Sequence, residues 1–103
     1  MNWNNKENQR LVQAILALRT ASETKRFLRD LMTENEILEC GKRLRAAEML
    51  TEKIPYSAIE RKTGLSSTTV ARVAKWLNGK NGGYTTIIDR LHHNALQSRK
   101  GLS

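Results

Sequence analysis

Residues 54–77 read IPYSAIERKTGLSSTTVARVAKWL, and the order of residue types predicts a short helix, a tight turn and a second helix. Pro55 sets its own φ and biases Ile54 away from helical geometry, so it ends any helix arriving from upstream and suits an early position of the next. Gly64 can take the left-handed conformation a tight turn needs, and Ser66 can cap the helix that follows. Ile59, Leu65, Val70, Val73 and Leu77 then supply a small shared core for two helices crossing at a wide angle. Ser67, Thr68, Thr69, Arg72 and Lys75 are left for the outer face of the second helix. Hydroxyls at a helix N-terminus followed by two cations suit a helix whose first turn enters the major groove of DNA. In residues 56–80 the cations Arg61, Lys62, Arg72, Lys75 and Lys80 face a single acid, Glu60, which stands where such motifs commonly place a small residue. The expected contact set is Tyr56, Ser57, Arg61, Ser66, Ser67, Thr68, Thr69, Arg72 and Lys75. Ser67, Thr68, Thr69 and Arg72 approach base edges, while Tyr56, Ser57, Arg61 and Lys75 are placed for phosphates. A packing-only αα-hairpin with a solvated cationic face fits the same pattern less well.

Working outward, helical periodicity continues on both sides. Leu11, Val12, Ile15, Leu16 and Leu18 predict a first helix with a broad apolar stripe. Ser22 is the expected cap of a second helix carrying Phe27, Leu28 and Leu31. Thr33 and Glu36 have capping-box spacing and open a third helix expected to reach about Glu52. After the motif, three glycines in residues 78–83 predict a flexible loop. A last helix from Thr85 to His92 turns Ile87, Ile88 and Leu91 inward, leaving polar tails at about 1–8 and 93–103. Lys6 and Arg10, or Arg99 and Lys100, could follow phosphates from those ends. No strand pattern is legible, so the fold class is all-α, about six helices in a single domain.

With 103 residues the chain has room for one modest core, and with aromatics at 5% it would be assembled mainly from Leu, Ile, Ala and Val. An obligate oligomer is therefore an open option. A formal charge of +8 implies a polyanionic partner. The longest apolar stretch, Leu11 to Leu18, is broken by Gln13, too short to span a membrane, and the N-terminus has no signal-peptide layout. A cytoplasmic protein is expected. The single cysteine, Cys40, cannot pair within the chain and is expected to be a small buried hydrophobe. His92 and His93 point about 100° apart on a helix, so no metal site is expected. No catalytic constellation and no cofactor motif is present, so an enzyme is not expected. The alternative to a DNA-binding regulator is a small helical module docking on a transcription-related protein.

The chain resembles the Trp repressor family, in particular its Trp-repressor-like branch. The resemblance is carried by Leu31-Met32-Thr33-Glu34-Asn35-Glu36, by Gly41-Lys42-Arg43-Leu44-Arg45 with Glu48 and Leu50, and by Gly64 with Thr69-Val70-Ala71-Arg72. It implies an intertwined homodimer from which two helix-turn-helix units project toward a palindromic operator, most simply as a repressor. In the family the corepressor tryptophan lies between two arginines, with a threonine helping to hold its carboxylate. Arg43, Arg72 and Thr33 match those positions. The family then has a glycine directly after the second arginine and a serine three residues further on, where this chain has Val73 and Trp76. Those side chains would fill space where the ligand lies, which argues against tryptophan binding in that way. Two readings follow: Trp76 or Val73 occupies the ligand's space and holds the reading helix in its binding-competent position without a corepressor, or Trp76 packs in the core or a dimer interface.

Overall fold

The computed structural model describes residues 1–80 and 82–102, and of these the side chains as far as residue 95. Six α-helices make up the described residues: α1 Lys6–Leu16, α2 Ala21–Leu31, α3 Glu34–Thr51, α4 Tyr56–Thr63, α5 Ser67–Leu77 and α6 Gly83–Leu102. The chain divides into two compact units, 1–37 and 38–103, with the boundary inside α3. The sequence, by contrast, reads as one domain.

In the first unit each helix opens on a hydrogen-bonded cap. Asn5 accepts from the N–H groups of Glu7 and Asn8 at 2.9 and 3.2 Å, so α1 begins inside the stretch expected to be a polar leader. Thr20, not Ser22, caps α2: its backbone is extended, and its hydroxyl accepts from the Glu23 N–H at 3.1 Å. Thr and Glu three residues apart at 20 and 23 are a capping-box spacing, and the Glu23 carboxylate reaches back to the Arg19 N–H at 3.0 Å. The Thr33–Glu36 box forms as expected, with Thr33 N–H to Glu36 Oε1 at 2.9 Å and Glu36 N–H to Thr33 Oγ1 at 3.2 Å. Neither α1 nor α2 contains a buried residue. The stripe of Leu11, Val12, Ile15 and Leu16 is exposed, as is Leu31.

The second unit holds the core: Ala46, Ala47 and Met49 of α3, Ile59 of α4, Leu65 of the turn, Val70 and Val73 of α5, and Ile88 of α6. α4 packs on α5 and α5 on α6. α3 stops at Thr51, slightly short of the expected Glu52, because Lys53 adopts a left-handed conformation with φ 64°. The Ile54 N–H then reaches the Met49 carbonyl and the Lys53 N–H the Leu50 carbonyl, both at 3.1 Å. This double closure is a Schellman motif, and Ile54 completes it by packing against the core. The stop thus comes from Lys53 as well as from Pro55.

Several expectations do not hold. Cys40 is exposed: it lies nearly two turns before Ala46, where the buried stretch of α3 begins. Of the α6 residues expected inward, only Ile88 is buried; Ile87 and Leu91 lie about half exposed. α6 starts at Gly83 and continues to Leu102, so residues 93–102 are helical, not a frayed tail. Residues 93–100 contain no proline or glycine and nothing that would break the helix. Asn81 of the 78–83 loop, Ser103 and the side chains of Arg99 and Lys100 lie outside the described residues.

Candidate nucleic-acid interface

The helix-turn-helix is built as its spacing predicts. Gly64 has φ 76° and its N–H donates to the Glu60 carbonyl at 2.8 Å, closing α4. Ser66 is extended and its hydroxyl accepts from the Thr69 N–H at 3.2 Å, opening α5. Between them Thr63, buried at 5% exposure, uses one hydroxyl to tie the end of α4 to the turn: it donates to the Ile59 carbonyl at 2.7 Å and accepts from the Leu65 N–H at 3.2 Å. Ile59 and Val70 are fully buried, so the two helices share the small core expected of them. Glu60 is half-buried beside this crossing.

α5 is thereby held by Val70, Val73 and Ala74, which leaves Ser67, Thr68, Ala71, Arg72, Lys75 and Trp76 exposed. No acidic residue occurs in α5. Thr68, Ala71, Arg72, Lys75 and Trp76 line a shallow groove along its outer face. Ser66 and Thr69 are placed differently from the rest of the expected set. The Ser66 hydroxyl donates to Thr69 Oγ1 at 3.0 Å, so both hydroxyls serve the cap, and Thr69 is half-buried. Tyr56, Ser57 and Arg61 are exposed on α4. Pro55 supplies no side-chain cap to α4, so the first N–H groups of that helix remain for solvent or for an anion such as phosphate.

On the flank of the same helix lies a cleft of about 220 Å³ lined by Arg43, Thr69, Arg72, Val73, Trp76 and Tyr84. Four of the five residues expected to form a ligand pocket are therefore brought together. The fifth, Thr33, belongs to the first unit, where it caps α3. Val73 is 2% exposed and forms a β-branched wall, whereas Trp76 is 64% exposed and is not part of the core. Tyr84 was not among the expected lining residues. Its position in the first turn of α6, just after the glycine loop, was the available signal. That loop passes closely over the end of α5: a Cβ on Gly82 would lie 3.0 Å from the Trp76 carbonyl oxygen. The Thr85 hydroxyl donates to the Leu77 carbonyl at 3.3 Å, giving one of the last carbonyls of α5 a partner.

Among the described residues no group of three or more His, Cys, Asp or Glu side chains stands close enough to hold a metal ion. No helix of the described residues is long and apolar enough to cross a membrane.

Residues 6–92 match the family model of the Trp repressor protein. The chain is 40% identical over 93 residues to the uncharacterised protein YerC of Bacillus subtilis (strain 168), covering 90% of this chain and 89% of that protein. Among solved structures, a TrpR-like protein from Eubacterium eligens superposes with a TM-score of 0.81 at 39% identity, covering 87% of this chain and 93% of that one. A candidate Trp repressor from Staphylococcus aureus superposes with a TM-score of 0.80 at 35% identity, covering 89% and 95%. With a family match across residues 6–92 and the same all-helical fold in both solved relatives, the chain belongs to the Trp repressor family.

Proposed function

We propose that this protein, a DNA-binding transcription regulator by family, acts as a homodimer on a palindromic operator in double-stranded DNA and represses transcription there. The observation that carries the reading is the outer face of α5. A core-anchored helix presents Ser67, Thr68, Arg72 and Lys75 to solvent with no acidic residue among them. Arg72 is suited to a guanine edge and Lys75 to a phosphate. Tyr56 and Ser57 at the uncapped start of α4, and Arg61 in its last turn, add phosphate contacts.

The dimer is supported by apolar surface that a single copy leaves in water. On α1 these are Leu11, Val12, Ile15 and Leu16, and on α6 Ile87 and Leu91. Contiguous exposed apolar faces of this kind mark association surfaces. Two reading helices related by a two-fold axis would meet DNA about one turn apart, the geometry known for Trp repressor itself and not one measured on this chain.

Tryptophan is not the effector in this reading. Val73 walls the cleft with a branched side chain, and the Trp76 indole stands on its border, so the residues present do not fit that ligand. Calorimetric titration with L-tryptophan is expected to give no saturable micromolar binding; such binding, coupled to tighter DNA affinity, would overturn this part.

Salt dependence tests the main reading. Log affinity for duplex should fall linearly with log salt, with a slope of roughly one per phosphate contacted. Selection from a random duplex library should return a palindrome. Absence of duplex binding at low salt would overturn the reading in favour of a module that docks on another protein.

A further inference from the structure

Trp76 has 64% of its surface exposed at the end of a helix that buries Val70, Val73 and Ala74. It shares the outer groove of α5 with Thr68, Ala71, Arg72 and Lys75. At about 100° per residue it falls roughly 40° to one side of Arg72, and at about 1.5 Å per residue it stands roughly 12 Å along the axis from Thr68. The major groove is about 12 Å wide. When the first turn of α5 occupies the groove floor, an indole that far along the helix has reached the groove wall. The wall consists of deoxyribose rings, which are apolar, between phosphates, which suit Lys75 beside the indole.

We propose that Trp76 packs its indole on the deoxyribose wall of the major groove while Lys75 meets the adjoining phosphate, so that it strengthens binding without reading sequence. The inference rests on the DNA-binding reading above. Charge selects DNA over a second copy as the occupant. A two-fold self-contact through this face would set Arg72 and Lys75 against their own copies, with no acid on α5 to relieve them.

The chain has two tryptophans, so Trp3→Phe leaves Trp76 as the sole indole reporter. In that variant, acrylamide quenching should be efficient in the free protein and fall sharply when duplex is added. Separately, Trp76→Ala should weaken binding roughly tenfold, the factor 1.4 kcal/mol represents, on the selected operator and on unrelated duplex alike. Trp76→Phe should retain most of the affinity. Circular dichroism should show unchanged helix content in all three variants, and the quenching measurement holds even if Trp76→Ala does not fold. If Trp76 stays equally quenchable in the complex, or Trp76→Ala binds as the parent does, the proposal is wrong although DNA binding stands. If the indole is already shielded before DNA is added, it is covered by a second copy and the proposal is wrong. A loss confined to one sequence would mean a base contact and would overturn the sugar contact proposed here. If the unaltered protein fails to bind duplex at low salt, the DNA-binding reading falls and this inference falls with it.

Discussion

Thr63 and Leu65 are tied across the turn of the helix-turn-helix by one hydroxyl, which accepts the Leu65 N–H at 3.2 Å while donating to the Ile59 carbonyl at 2.7 Å. Both residues are buried, so no water stands ready to replace that hydroxyl. Thr63→Val keeps the shape and removes both bonds, leaving the Leu65 N–H without a partner, and should destabilise the fold by about 1–3 kcal/mol. Thr63→Ser keeps the hydroxyl and loses one methyl, for about 0.8 kcal/mol. Urea unfolding followed by circular dichroism, at one protein concentration because of the proposed dimer, separates the two.

Lys53 and Gly64 both sit in the left-handed region, at φ 64° and 76°, and they predict opposite outcomes. Lys53 bears the strain of a Cβ there, so Lys53→Gly should stabilise, by roughly 0.5–1 kcal/mol after the added chain entropy of glycine is counted. Gly64→Ala should destabilise by about 1–2 kcal/mol. Thermal unfolding midpoints moving in opposite directions are the expected result, and a fall for both would refute the Schellman assignment at Lys53.

Glu36 carries a pH signature. The Thr33 backbone N–H, and secondarily the Thr33 hydroxyl, stabilise its carboxylate and hold its pKa below the ordinary glutamate value, against slight opposing desolvation. Because the folded value is the lower one, this stabilisation is complete above the ordinary glutamate value and is lost as pH falls through the lowered folded value. NMR titration of the Glu36 carboxyl should give a midpoint below that of a free glutamate, and Thr33→Ala should raise it. Glu36→Gln should remove this part of the acid dependence of unfolding.

Arg72 and Lys75 should separate base reading from backbone attraction. Arg72→Ala should reduce discrimination between operator and unrelated duplex by roughly 1–3 kcal/mol, whereas Lys75→Ala should weaken all sequences alike and lower the salt slope by about one. Gel-shift titrations on both duplexes check this. Unchanged affinity in both variants would remove α5 from the interface.

Much of this protein is determined locally and can be read in sequence. Pro55, Gly64 and Ser66 act through their own backbone and side chain, so the helix-turn-helix boundaries follow from a few residues, and the Thr33–Glu36 box is equally self-contained. The outward set Ser67, Thr68, Arg72 and Lys75 follows from which α5 positions the core claims. What depends on neighbours distant in sequence was decided only by tertiary structure. Lys53 takes a glycine's conformation because Ile54 is drawn into the core. Tyr84 joins Arg43 and Arg72 at the cleft through the return of α6. Cys40 and Trp76 show the limit best: periodicity shows that a residue is apolar and helical, but only packing shows whether anything covers it, and in this chain both stand exposed.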